Sequence, residues 1–360
     1  MRALCMLLGA CIAIGVGIAI VTLPSDPPLL TTRATRIAAL PSGYARYEWV
    51  SDHEIMMFSP YLSVPIVRLD TRTGAAVAMG GLLERFAKWR FEFTASPDGA
   101  RGIWGGLDGQ NFLMPLPFLD GSFTTKRNAK QGRFWVAATY PVWLQDGSHW
   151  LQLFWHERSL HAIVQGVDSH GIIRQISIGN PKGTRINGAP TARLLGCTQS
   201  GNLLAIPTGR AVPRNPASLG KMDFFEFSLN GGPARLREYT VNIPVAPYHW
   251  DAAIPFSNEV ELSPHGDRLA WMVHVMEEEP PLRKLLSRWL RSLQIPPCPR
   301  AELRTSRLDG SDMKVIGYLH YRDKNKKWHD EVVPHGLHWL PDGTRVSFAY
   351  DGALWTVSAK

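Results

Sequence analysis

The sequence predicts an all-β fold: a six-bladed β-propeller of four-stranded antiparallel blades, with an N-terminal transmembrane helix and a short amphipathic helical insertion. Three observations lead there. The 360 residues include 13 Trp, 14 Phe, 32 Gly and 27 Pro, yet only 19 % are charged, which suits many short strands joined by tight turns. A strand–turn–strand phrase built on Pro-Asp-Gly or its variants recurs along the chain. The last copy ends one strand short, and the segment before the first copy can supply that strand.

The chain opens with an uncharged run from Ala3 to Leu23. Its length of about 21 residues matches the roughly 20 needed to cross a bilayer as a helix. A long polar leader and a clean small-residue cleavage site are both missing, so residues 1–24 read as a retained signal anchor. Leu8-Gly9-Ala10-Cys11 also has the form of a lipoprotein cleavage box, but the apolar run would then continue where a polar tether is usual. Arg2 opposes Arg33 and Arg36 across the segment, so charge specifies orientation weakly. The expectation is a membrane-anchored chain facing the periplasm or cell exterior. Residues 25–40 follow as a linker whose stretch Thr31–Leu40 is a candidate ring-closing outer strand.

The propeller is expected over 41–360, with blades at 41–80, 88–138, 139–180, 191–243, 257–320 and 336–358. The phrase is plainest at Phe91–Trp104, Pro141–Trp155, Val260–Val275 and His338–Tyr350, weaker at Tyr47–Ser59, and most degraded at Arg193–Ile206. Asp, Asn and Gly occupy the turns because they accept the backbone angles of tight hairpins, and proline pre-sets φ at an early turn position. One such sheet cannot bury both faces alone, so the copies must stack.

These residues resemble the TolB-like propeller family. Ser96-Pro97-Asp98-Gly99 matches its recurring turn in full, and Leu340-Pro341-Asp342-Gly343 and Ser263-Pro264-His265-Gly266 match in part. Leu69-Asp70-Thr71-Arg72-Thr73-Gly74 and Leu308-Asp309-Gly310 look like its later turn. The resemblance covers about residues 41–360, with blades two and four departing from it. It implies a binding scaffold or, in related propellers, the gate of a peptidase. The shared residues make turns, not a site.

Chemistry-bearing motifs are sparse. G-x-S-x-G, Walker A, H-E-x-x-H and G-x-G-x-x-G do not occur, and the propeller pattern runs to the last residue, leaving no segment to mount a hydrolase triad. No cofactor is expected. The formal charge is +8, but the basic residues are scattered apart from clusters at Arg283 to Arg291 and Arg322 to Lys327, which suit an anionic surface, and no nucleic-acid-binding pattern accompanies them. Cys197 and Cys298 are the cysteines beyond the apolar segment, a pair that permits a disulfide without establishing it.

Two histidine-bearing stretches stand before innermost strands: His249, Trp250 and Asp251 before the fifth blade, and Trp328, His329 and Asp330, with His335 and His338 shortly after, at the sixth. Loops entering innermost strands open onto one rim, so these side chains are candidates for a ligand or partner surface. Imidazole and carboxylate also suit a divalent ion, but no metal site is assigned. Between the second and third strands of blade five, residues 276–300 form an insertion bounded by Pro280-Pro281 and Pro296-Pro297. Within it Leu282, Leu285, Leu286, Trp289, Leu290 and Leu293 follow a helical period, with Arg283, Lys284, Arg288 and Arg291 on other faces. Such a helix caps the blade, meets a partner groove, or lies with Trp289 at a membrane. The leading expectation is a non-enzymatic scaffold for a protein or peptide. The alternative is a propeller enzyme acting on a glycan or similar polymer, as a lyase or hydrolase.

Overall fold

The structure, a computed structural model, describes residues 29–40, 46–58, 66–79, 91–106, 110–116, 124–127, 136–137, 139–156, 159–168, 172–179, 185–186, 189–190, 192–207, 221–229, 236–242, 259–276, 299–320 and 334–360. A single helical turn, α1 (Leu30–Arg33), leads into strand β1 (Thr35–Ala39). Blade 1 comprises β2 (Arg46–Ser51), β3 (Glu54–Phe58), β4 (Ile66–Asp70) and β5 (Ala76–Met79). Blade 2 comprises β6 (Phe91–Ala95), β7 (Arg101–Gly106), β8 (Gln110–Pro115) and β9 (Thr124–Arg127). Blade 3 holds β10 (Val136–Ala137), β11 (Val142–Trp143), β12 (His149–His156), β13 (Ser159–Gly166) and β14 (Ile172–Gly179). A two-stranded ribbon, β15 (Arg185–Ile186) with β16 (Ala189–Pro190), precedes blade 4. Blade 4 is β17 (Ala192–Cys197), β18 (Asn202–Pro207), β19 (Lys221–Ser228) and β20 (Leu236–Asn242). Blade 5 is β21 (Glu259–Leu262), β22 (Arg268–Met276), β23 (Pro299–Arg307) and β24 (Lys314–His320). Blade 6 takes β25 (His335–Trp339), β26 (Arg345–Tyr350) and β27 (Ala353–Ser358) from the end of the chain, and β1 as its outer strand.

Every pairing within a blade is antiparallel. The innermost strands touch in cyclic order, β2 to β6, β11, β17, β21, β25 and back to β2, which makes the arrangement a closed six-bladed propeller. Closure runs through the chain ends: Thr35 faces Thr356 and Ala39 faces Ala353, so β1 covers what would otherwise be an unpaired edge of β27. Leu30, fully buried, anchors the approach to β1 by packing into the core between blades 5 and 6.

Among the described residues such a core lies at each of the six blade interfaces. Trp49, Ile55, Met57, Leu340 and Leu354 join blades 1 and 6; Met56, Phe93 and Trp104 join blades 1 and 2; Ile103, Leu113, Trp143 and Trp150 join blades 2 and 3. Leu153, Leu160, Leu203 and Phe225 fill the next interface, and Phe224, Val260, Leu269 and Trp271 the one after it. Middle strands are therefore apolar on both faces, as in β12, where Trp150 to Trp155 are all buried.

Blade 3 departs from the expected boundaries. Val136 and Ala137 pair with Trp155 and Phe154 of β12, so they belong to blade 3, whereas the sequence pattern assigns residues through 138 to blade 2. The inner strand is broken because Pro141 has no N–H for the ladder. Thr139 fills the gap, its Oγ1 accepting the main-chain N–H of Leu153 at 3.0 Å. Among the described residues no helix is long and apolar enough to cross a membrane; residues 3–23 and the insertion helix 282–293 lie outside those described.

Candidate functional site

The first turn of each blade, between its inner and second strands, carries the recurring phrase. Ser96 Oγ accepts the N–H of Arg101 at 3.0 Å, and Ser263 Oγ accepts that of Arg268 at 3.1 Å. Thr198, in the most degraded copy, does the same for Asn202 at 3.2 Å. Asp98, Asp146 and Asp342 each accept main-chain N–H groups two residues on, at 3.0, 2.9 and 2.8 Å. The Asp98 carboxyl is held below its usual range by the Ser96 hydroxyl and the Ala100 N–H. Burial opposes that effect at Asp342, where the Thr344 N–H and Arg345 guanidinium nevertheless lower it.

Glycine serves two purposes here. Gly99 and Gly266 have φ of 66° and 68°, in the left-handed region that disfavours side chains. A Cβ on Gly99 would also stand 2.9 Å from the Val50 carbonyl oxygen, and one on Gly266 would stand 2.4 Å from that of Cys197. These two turns thus nest against the preceding blade. The Gln199 N–H donates to the Gly266 carbonyl at 2.8 Å across the same junction.

This ring of turns surrounds the mouth of a central channel of about 1210 Å³, to which the innermost strands of all six blades contribute. Indoles brace its wall: Trp339 Nε1 donates to the Glu261 carbonyl at 3.1 Å, Trp143 Nε1 to that of Thr94 at 3.1 Å, and Trp49 Nε1 to Ser347 Oγ at 2.8 Å. Glu259 clasps the far end of the neighbouring strand, accepting the N–H groups of Gly336 and Leu337 at 3.2 and 2.7 Å.

Inside the channel lie Glu48, Arg193, Glu261 and His338. Arg193 and Glu261 form an ion pair between blades 4 and 5. Burial, with Arg193 adding repulsion, pushes the His338 imidazole down to about 3, so it is neutral at physiological pH. Its Nδ1 lies 3.9 Å from Glu48, and with a neutral ring that approach is not an ion pair. His338 packs edge-on to Tyr47, with ring centroids 4.9 Å apart. Burial likewise pushes the Cys197 thiol up to about 11, and among the described residues Cys197 is a free thiol.

Of the residues nominated from sequence, only His335 is described; it is half-buried at the start of β25, at the end of that strand remote from the turn ring. His249, Trp250, Asp251, Arg283, Lys284, Arg288, Trp289, Trp328, His329, Asp330 and Cys298 lie outside the described residues. Sequence reasoning missed Glu48, Arg193 and Glu261; it counted His338 with the histidine-bearing stretch before blade six, not with the channel. A signal existed: each stands on an innermost strand between two apolar residues that are buried, Tyr47 and Trp49 about Glu48, Ala192 and Leu194 about Arg193, Val260 and Leu262 about Glu261, Leu337 and Trp339 about His338. His53, Glu54 and Asp70 also bring ligand atoms within 4.8 Å of one another beside a blade 1 turn. Arg68 already engages Glu54, and the N–H groups of Arg72 and Thr73 engage Asp70, so the trio is accounted for as turn structure.

No family model matches the chain, and no curated protein matches it. Among solved structures it is similar to a protein described as a TolB, from Agrobacterium tumefaciens, at 12 % identity over 76 % of this chain and 80 % of that one, TM-score 0.40. It is similar to the Cps50 (Swd1) β-propeller domain of Myceliophteria thermophila at 12 % identity, covering 88 % and 84 %, TM-score 0.43. It is also similar to an oligogalacturonate lyase from Vibrio parahaemolyticus at 8 % identity, covering 91 % and 93 %, TM-score 0.47. The fold assignment rests on the strand pairing and the cyclic contacts of the inner strands.

Proposed function

We propose that the chain is a membrane-tethered, extracytoplasmic propeller that binds a protein or peptide partner and performs no chemistry on it. The observation that carries this reading is the preformed channel of about 1210 Å³, whose charged groups are largely engaged by neighbours: Arg193 with Glu261, and Asp342 with Arg345. Groups so engaged, beside an imidazole too depressed to serve as a base near neutrality, suit recognition better than proton transfer. The tether is residues 3–23, and the second contact face is the opposite rim. We assign the loops of 249–251 and 328–330 and the insertion 276–300 to that rim, because β21 and β25 begin there and β22 ends there. The test is co-purification from gently solubilised membranes. A partner should be recovered whose retention falls on deletion of 277–298 or on occlusion of the channel; retention unchanged by both contradicts the reading.

A second reading, an enzyme acting on a glycan, has one observation in its favour: Glu48, Glu261, Arg193 and His338 share one concave recess. It predicts new reducing ends, or an unsaturated product absorbing in the ultraviolet, when purified protein is incubated with neutral or uronate polysaccharides. It also predicts that Glu48→Gln abolishes that product.

A further inference from the structure

The channel and the chain carry opposite charge. The whole chain has a formal net charge of +8, yet among the described residues the channel wall carries five carboxylates, Glu48, Asp52, Asp98, Glu261 and Asp342, against the guanidinium of Arg193, which engages Glu261, and that of Arg345, which engages Asp342 from beside the wall, so the recess stays negative. A recess lined by one sign of charge between low-dielectric walls concentrates the field at its mouth. The mouth also carries the exposed prolines Pro97, Pro264 and Pro341, apolar surface that suits the aliphatic stems of long cationic side chains. The chain places a guanidinium of its own there, since Arg193 from blade 4 bonds Glu261 of blade 5 within the channel.

We propose that the turn-ring mouth of the channel takes an extended cationic polypeptide segment bearing lysine or arginine side chains. The proposal rests on the scaffold reading above and names the ligand class for the same site. A polypeptide fits better than a small cation, because the volume of about 1210 Å³ exceeds what one ion or amine fills and the mouth sets carboxylates among proline surface. The same charge disfavours a polyanionic glycan at this mouth.

The test is fluorescence anisotropy on the purified full-length chain in neutral detergent, with three labelled peptides of equal length: Lys/Leu, Ser/Leu and Glu/Leu. The Lys/Leu peptide should bind about tenfold or more tighter than the others and weaken as salt is raised. Gln145→Lys with Gln199→Lys, which adds charge at exposed channel-mouth positions without removing a structural group, should weaken it by about tenfold. Val77→Lys with Ile173→Lys, on exposed outer strands, should leave it unchanged. Equal weakening by both pairs marks general surface electrostatics and overturns the proposal. Equal affinity for all three peptides overturns the cationic preference and leaves the scaffold reading standing. Competition by spermine as effective as that by unlabelled Lys/Leu peptide overturns the assignment to a polypeptide. Failure of all three peptides to bind a folded chain overturns both the proposal and the channel-based scaffold reading.

Discussion

The Trp339 indole donates a hydrogen bond of 3.1 Å to the main-chain carbonyl of Glu261, joining the inner strands of blades 6 and 5. Trp143 and Thr94 repeat the relationship between blades 3 and 2 at 3.1 Å. In both pairs the acceptor stands two residues before the turn serine, Ser263 or Ser96, so the repeat positions donor and acceptor together. Trp339→Phe keeps the ring and removes the donor. It should lower stability by about 1–2 kcal/mol, read as a lower denaturant midpoint at unchanged slope. An unchanged midpoint would show that this bond does not brace the wall.

Ser347 is fully buried and accepts two donors from blade 1, Tyr47 Oη at 2.9 Å and Trp49 Nε1 at 2.8 Å. Burial pushes the Tyr47 phenol well up, so it remains a donor throughout the accessible pH range. Ser347→Ala strands both donors in a core, and the expected loss is about 2–4 kcal/mol. Ser347→Thr, which retains the acceptor, should recover part of it. Equal losses for Ala and Thr would assign the effect to packing.

Gly266 combines a left-handed φ of 68° with a backbone approach from Cys197 that leaves no room for a Cβ. Gly266→Ala should therefore cost about 2 kcal/mol or more. Gly201→Ala, at φ 78° with open space around it, isolates the conformational part and should cost about 1 kcal/mol. Equal costs at the two sites would contradict the nesting of the turns.

His338 gives folding stability a pH dependence. Its folded value of about 3 lies below the ordinary 6.5, so above pH 6.5 both folded and unfolded forms are neutral and its contribution is fully present. As pH falls from 6.5 toward 3 the unfolded chain takes up a proton that the folded one refuses, and stability declines by at most about 1.4 kcal/mol per pH unit. Asp98 and Asp342, held low in the folded state, add their losses only nearer the carboxylate range. Denaturation midpoints from pH 7.5 to 4.5 should fall less steeply for His338→Gln than for the parent chain. Parallel curves would show that His338 is not held neutral.

Much of the fold was legible because its information is local. Ser96-Pro97-Asp98-Gly99 and its variants state the turn outright, and even Thr198-Gln199-Ser200-Gly201 forms it through a hydroxyl at the same place. The break in blade 3 was not legible as such, since Val136 and Ala137 read as the end of one sheet until their register with Trp155 and Phe154 is known. The channel was the least legible part. Arg193 and Glu261 are 68 residues apart and meet only because neighbouring blades bring their inner strands together. A polar residue in an apolar strand marks such a position, but which residues share the recess depends on the closure of the ring.

The most direct test of the closed ring is a cross-link between its two ends. Thr35 of β1 stands opposite Thr356 of β27 in an antiparallel pair, at a separation a disulfide can bridge. With the four native cysteines replaced, Thr35→Cys with Thr356→Cys should oxidise within a single chain, give a cross-linked peptide by mass spectrometry, and raise the unfolding midpoint reversibly with reductant. Two free thiols under the same oxidation, with no change in the midpoint, would contradict the closed propeller and, with it, the channel.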